Sequence, residues 1–212
     1  MGADGHVNIL FYGNCQVLAL RAIYERFVQP FSGTETKFID AYQKLDDETY
    51  DNMRKADILI AQVSSQPPEI GYQEITQSAD VHLVPIVSGA FLWPNQGQPH
   101  PRPPPFRYGN YHYMPEYNDR FLGKLIEEGV SPEEALRTYR NIDVAAICAV
   151  GRRYELELEA QRWRDKATGF DCAAIIEEHF RTEELFQSAY HFNIRIANHL
   201  TAGLFRSMKI DP

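Results

Sequence analysis

The run Gly13-Asn14-Cys15-Gln16 places a thiol between two side-chain amides, directly after an apolar stretch, Val7 to Tyr12, and directly before an amphipathic one, Val17 to Phe27. The first stretch reads as a strand and the second as a helix, so Cys15 stands at a helix N-terminus. Backbone N–H groups in a first helical turn have no intrahelical partner, and the helix dipole adds partial positive charge. An anion, a thiolate included, is stabilised there. Gly13 supplies backbone freedom, while Asn14 and Gln16 supply amide donors of the kind that hold an oxyanion or a thioester carbonyl. Cys15 is therefore the candidate reacting atom, with Gly13, Asn14 and Gln16 beside it where a cofactor would sit. Cys148 and Cys172 lie among alanine and isoleucine on helical stretches and read as packed core residues.

A nucleophilic thiol, or a hydroxyl that attacks a thioester, needs a base, and histidine has the suitable pKa. Seven histidines compete. His6 lies near the N-terminus, His82 within a strand and His179 on a charged helix, where structural roles are expected. His100 and His112 fall in a long proline-rich stretch and are candidates for substrate contact. His191 and His199 lie in Tyr190-His191-Phe192-Asn193 and Asn198-His199-Leu200-Thr201. His199, at the expected start of the last helix, is the preferred base, and His191 the second candidate. A phosphate-bearing cofactor would need cations, and Arg152-Arg153 beside Gly151 is the best pair for it, although arginines on an acidic chain more often form a solvated helix face.

The elements that must position these groups alternate through the first ninety residues. Strands are predicted at Val7 to Tyr12, Thr36 to Asp40, Ala56 to Ala61 and Val81 to Val87. Helices are predicted at Val17 to Phe27, Asp46 to Lys55 and Tyr72 to Ala79. Repeated β-α units specify an α/β fold, a parallel Rossmann-like or SGNH-like sheet in the N-terminal half. Ligands then gather beyond the carboxyl ends of the strands, so Gly13 to Gln16, Gln62 to Gln66 and Ser88 to Trp93 should converge, with Gln62 and Trp93 facing substrate. Residues 89–117 read as a long proline-rich and aromatic loop, fit for a lid or binding surface. From Asn118 the pattern is helical. Asn118 or Asp119 caps a helix to Glu128, Ser131-Pro132-Glu133-Glu134 is a capping box, Val144 to Lys166 reads as one long helix, Asp171 to His179 and Thr182 to Gln187 as short ones, and the last runs from near Asn198 to Met208. One domain spanning 1–212 is expected, with a helical C-terminal half.

A formal charge of −8 argues against broad electrostatic binding to nucleic acid or an anionic membrane. Three widely spaced cysteines without a C-x-x-C pair fit neither zinc nor a disulfide framework, and no apolar run reaches membrane-spanning length, so a cytoplasmic protein is expected. The phosphate loop, the dinucleotide fingerprint, H-E-x-x-H and Gly-x-Ser-x-Gly are all missing, which removes support for nucleotide hydrolysis, dinucleotide redox chemistry, zinc proteolysis and the common serine-hydrolase elbow.

Gly13-Asn14-Cys15-Gln16, Ala56-Asp57-Ile58-Leu59-Ile60-Ala61-Gln62, Tyr117-Asn118-Asp119-Arg120 leading into Gly129-Val130-Ser131-Pro132-Glu133-Glu134-Ala135-Leu136, and Asn198-His199-Leu200-Thr201 together resemble the WcbI family of polysaccharide biosynthesis proteins. The resemblance spans most of the chain, and the cysteine motif is its most specific part. It implies an acyltransferase that takes a coenzyme A thioester such as acetyl-CoA as donor and a sugar or polysaccharide hydroxyl as acceptor. Its site would be built from Cys15 and His199 with Asn14 and Gln16, and Asp119 would fall on the acceptor side. Where the family carries proline after the last histidine, Leu200 stands here, which keeps His191 in play. The first turn also resembles that of the SGNH hydrolases with cysteine for serine. A thiol-dependent esterase or deacetylase, or a protein that binds coenzyme A or a glycan without turnover, are the rival expectations.

Overall fold

The computed structural model describes residues 7–42, 46–64, 79–97, 106–108, 111–113 and 118–210, with backbone alone at 106–108, 111–113 and 118. The expected helix at Tyr72 to Ala79 and the prolines at 103–105 lie largely or wholly outside these residues. Met1–Ser88 with Leu158–Pro212 form one compact unit, and Gly89–Glu157 a second.

In the first unit β1 (Val7–Gly13) lies at the centre of a parallel sheet, flanked by β2 (Thr34–Asp40) on one side and by β3 (Ile58–Val63), then β4 (Asp80–Pro85), on the other. From β1 the chain steps outward to β2, then crosses back to β3. The order therefore reverses between β1 and β3, and a crevice opens beyond the carboxyl ends of those two strands. Residues of β1 alternate between two faces. Leu10 and Tyr12 pack with Leu59, Ala61 and Met53, the last from α3 (Asp47–Arg54). On the opposite face Phe11 meets Tyr24 of α1 (Cys15–Phe27), ring centroids 6.0 Å apart, and Tyr24 meets Phe205 of the last helix edge-on at 6.3 Å. A short turn of helix, α2 (Gln29–Ser32), ends at Gly33, whose φ of 61° turns the chain into β2.

Gly13 ends β1 where three elements crowd together. A Cβ placed there would lie 2.5 Å from Val17 Cγ2 and 2.9 Å from Gln62 Cβ. The valine is β-branched and held by its helix, and the Gln62 atom is next to backbone, so neither yields readily. Gly13→Ala is expected to destabilise the protein by about 1–3 kcal/mol. The penalty should shrink in a Val17→Ala background, as a double-mutant cycle from urea denaturation would read.

The second unit opens with a 3₁₀ turn at Ala90–Leu92 and pairs β5 (Gln96–Gly97) antiparallel with β8 (Asn118–Asp119). Another antiparallel pair joins β6 (Phe106–Tyr108) to β7 (Tyr111–Tyr113). Thus the stretch read as a loop holds short strands at its described residues. Asp119 caps α4 (Arg120–Glu127), accepting from Leu122 N at 2.9 Å, and Ser131 caps α5 (Pro132–Arg140), accepting from Glu134 N. The long helix expected from Val144 to Lys166 is two helices, α6 (Val144–Cys148) and α7 (Val150–Thr168). The break falls at Ala149, with φ of 47°. Arg153 Nε donates to the Cys148 carbonyl at 2.8 Å and so occupies the last acceptor of α6.

The first unit closes with α8 (Cys172–His179), an antiparallel hairpin of β9 (Phe186–Ser188) and β10 (His191–Phe192), and α9 (Ile194–Ser207). Two expectations change here. Thr182 to Gln187 forms no helix, because Glu183 and the Glu184 carbonyl accept from Asn193 Nδ2 and Glu183 pairs with Arg195 at 2.8 Å, which ties this acidic run to the start of α9. The last helix also begins earlier than Asn198. Asn193 is its cap, its Oδ1 accepting from Arg195 N and Ile196 N.

Candidate active site

Cys15 is the first residue of α1, and Asn14 is the N-cap, its Oδ1 accepting from Gln16 N at 2.9 Å. The sequence predicted amide donors for a ligand at both flanking positions. In the structure the Gln16 amide turns inward instead, fully engaged and 3% exposed. Its Nε2 donates to Val87 O at 2.7 Å and to Tyr190 O at 2.8 Å, while Oε1 accepts from Val87 N at 3.0 Å and from Gln62 Nε2 at 3.2 Å. Gln62 Oε1 in turn accepts from Asn14 N at 3.0 Å. Gln16 and Gln62 thus staple four segments together: the β1–α1 turn, the end of β3, the residues after β4, and the β9–β10 turn. With both of its amide hydrogens spent on carbonyls, Gln16 shapes the site from beneath.

The β9–β10 turn is what the staple holds. Its two residues, buried Ala189 and half-buried Tyr190, place Ser188 and His191 directly opposite each other across the hairpin. Ser188 Oγ lies 2.6 Å from His191 Nδ1, and His191 Nε2 lies 3.5 Å from Cys15 Sγ. A thiol, an imidazole and a hydroxyl therefore stand in line at the helix N-terminus. With Nδ1–H donating to the serine, the Nε2 lone pair faces the thiol and can take its proton. Both the imidazolium so formed and the helix dipole favour the resulting thiolate.

Cys15 is exposed, whereas Cys172 is fully buried and Cys148 partly so. Burial above all, with the nearby Asp165 and Asp171 charges, pushes the Cys172 thiol up and keeps it protonated. Cys148 donates to Asn95 Oδ1 at 3.1 Å in the second unit.

The remaining expected site residues scatter. His199 sits in the middle of α9 with its ring edge-on to Phe170 at 6.2 Å. Its Nε2 is buried with no hydrogen-bond partner among the described residues. His112 lies on β7 opposite Arg107, and His100 falls outside the described residues. Arg152 and Arg153, in the first turn of α7, are exposed, the former paired with Glu155 at 3.2 Å. Trp93 and Asp119, both in the second unit, line one cavity together. Ser188 escaped sequence reasoning, since nothing local marks a serine in an acidic, irregular stretch until the hairpin register sets it opposite His191. Among the described residues no cluster of histidine, cysteine and carboxylate side chains could hold a metal ion, and no helix is long and apolar enough to cross a membrane.

Residues 8–212 match the family described as polysaccharide biosynthesis enzyme WcbI. The chain belongs to that family. Among curated proteins none matches it in sequence. A solved structure of WcbI, presented as a polysaccharide biosynthesis enzyme in a native form without a disulfide bond between coenzyme A and one of its cysteines, superposes with a TM-score of 0.67. It is 14% identical and covers 97% of this chain and 70% of its own, which establishes the shared α/β fold. The WcbI family assignment makes this chain a polysaccharide biosynthesis protein, and the Cys15–His191–Ser188 array is its candidate reaction centre.

Proposed function

We propose that the protein is a coenzyme A-dependent acyltransferase that moves an acetyl group onto a sugar hydroxyl, working in the reducing cytoplasm, where an exposed thiol stays a thiol. The observation that carries this reading is the 3.5 Å approach of His191 Nε2 to Cys15 Sγ at the start of α1. The solved WcbI described by reference to a disulfide between coenzyme A and a cysteine supports it, because Cys15 is the exposed thiol of this chain. A coenzyme A thioester supplies an activated acyl carbonyl and a thiol leaving group.

In this reading His191 first takes the Cys15 proton, and Sγ forms a bond to the acyl carbon. The proton then leaves with the departing thiol. In the second half His191 takes the proton of the sugar hydroxyl, the oxygen bonds to the acyl carbon, and Cys15 leaves as a thiolate to be reprotonated. The positive end of the α1 dipole lies behind the thiol and favours the developing oxyanion, while the Gln16 and Val17 amides are themselves taken by Asn14. His191 is placed as the base in preference to His199 because it is the imidazole within reach of the thiol.

Intact-mass spectrometry tests this directly. Incubation with acetyl-CoA should leave one acetyl increment on wild-type protein and none on Cys15→Ala, and adding an acceptor glycan should discharge it. Rapid turnover of aryl esters without any coenzyme A requirement would instead make the protein a thiol-dependent esterase or deacetylase. Retained coenzyme A affinity with no acyl product from any acceptor would make it a binding protein.

A further inference from the structure

The second unit holds a cavity of about 280 Å³ that the thiol chemistry does not use, lined by Leu92, Trp93, Asn95, Asp119, Tyr139 and Val144 among others. We infer that this cavity is a binding site for a single pyranose ring of the acceptor glycan. The inference rests on the acyltransferase reading for the identity of the acceptor, and on the cavity itself for the chemistry.

The polar wall of the cavity is assembled before any ligand arrives. Cys148 Sγ donates to Asn95 Oδ1, and Tyr139 O–H donates to Asp119 Oδ2 at 2.7 Å. The Asp119 hydrogen bond above all, then burial, raises the Tyr139 pKa, so this hydroxyl stays protonated and its donor stays committed to the carboxylate. Asp119 Oδ1 meanwhile caps α4. Each carboxylate oxygen accepts one hydrogen bond from the protein and keeps acceptor capacity for another donor. Such a fixed array suits the vicinal hydroxyls of a sugar, which donate and accept at short spacing.

The opposite character comes from Trp93, Leu92, Pro94 and Val144. A pyranose ring presents polar edges and an apolar C–H face, and an aromatic side chain beside a carboxylate and an amide matches both. Size narrows the class further. The cavity lies just below the roughly 300–1,000 Å³ typical of sites for drug-sized ligands, so it suits one ring rather than a nucleotide-bearing cofactor. The helix cap at Asp119 makes the carboxylate rigid, because moving it would uncap α4.

Trp93 and Trp163 are the two tryptophans of the chain, so Trp163→Phe leaves Trp93 as the sole reporter. Methyl glycosides of glucose, galactose, mannose and N-acetylglucosamine, titrated singly into this variant of the full chain, are the probes. At least one should change Trp93 emission saturably. Tyr139→Phe, which removes the donor that fixes Asp119, should weaken that binding about tenfold. Val144→Phe, which fills the cavity without touching the network, should abolish it, and serves alone if Tyr139→Phe does not fold. Absence of saturation for every glycoside, or unchanged binding in Val144→Phe, overturns the inference. Acetylation of Cys15, followed by mass in the same samples, separates the two readings. Sugar binding without acetylation sinks the transferase and keeps the cavity, and the reverse result sinks the cavity alone.

Discussion

Replacing Cys15 with alanine is expected to lower acetyl transfer about 10³-fold or more, and replacing His191 about 10²- to 10⁴-fold, with coenzyme A affinity retained in both. The two losses should not add. Once the sulfur is gone the imidazole has no thiol to deprotonate, so the double variant should resemble Cys15→Ala. His199→Ala is the contrasting variant. Its ring packs against Phe170 inside α9, so its loss should appear in stability, with kcat of the folded enzyme close to wild type. Ser188→Ala tests the third member of the line. The hydroxyl 2.6 Å from Nδ1 holds the ring in register with the thiol, and a misplaced ring costs roughly 10- to 100-fold in kcat while KM stays put. Steady-state kinetics with a defined acceptor reads all five variants. Full activity in His191→Ala together with collapse in His199→Ala would return the base to α9.

The second large effect is structural. Gln16→Leu keeps side-chain volume and removes every hydrogen bond of the buried amide. Val87 N, Val87 O, Tyr190 O and Gln62 Nε2 would each lose a partner, all but the half-buried Tyr190 carbonyl in a buried place. Leaving buried polar groups unsatisfied costs about 1–3 kcal/mol apiece, and partial relaxation brings the expected total to about 3–5 kcal/mol. Urea denaturation should show a lowered midpoint with an unchanged m-value. Activity should fall further than the folded fraction explains, because the Tyr190 carbonyl is the anchor of the turn that presents His191. Gln16→Glu should be no milder. It would set a carboxylate oxygen against two carbonyls that now receive N–H groups. An undiminished midpoint in either variant would mean that the four segments are held by packing alone.

Much of this was legible in the residues. The β-α alternation from β1 to β3, the strand that follows at β4, the thiol at the head of α1, and the caps at Asp119 and Ser131 are local facts. An N-cap needs one side chain and one turn, and a buried strand needs one apolar run. The family likewise rests on short motifs, and residues 8–212 match it. Partners distant in sequence were not legible. Cys15 and His191 are 176 residues apart, and of the two histidines close to the C-terminus the sequence favoured His199 as the base. The β9–β10 register, set by a two-residue turn pinned to Gln16, brings one of them to the sulfur and puts Ser188 behind it. An acidic run that reads as helix becomes that hairpin because Asn193 and Arg195 claim Glu183 and the Glu184 carbonyl.

What the chain dictated by itself, then, was the position of the thiol and the helix that follows it, because a cap, a dipole and an apolar period are properties of neighbours in sequence. The tertiary structure alone decided which imidazole meets the thiol, that Gln16 and Gln62 serve as staples rather than ligand donors, and that Trp93, Tyr139 and Asp119 share a cavity. Each of these depends on strand register or on a side-chain amide choosing among distant carbonyls, and such choices are made only when the sheet and its hairpin have closed.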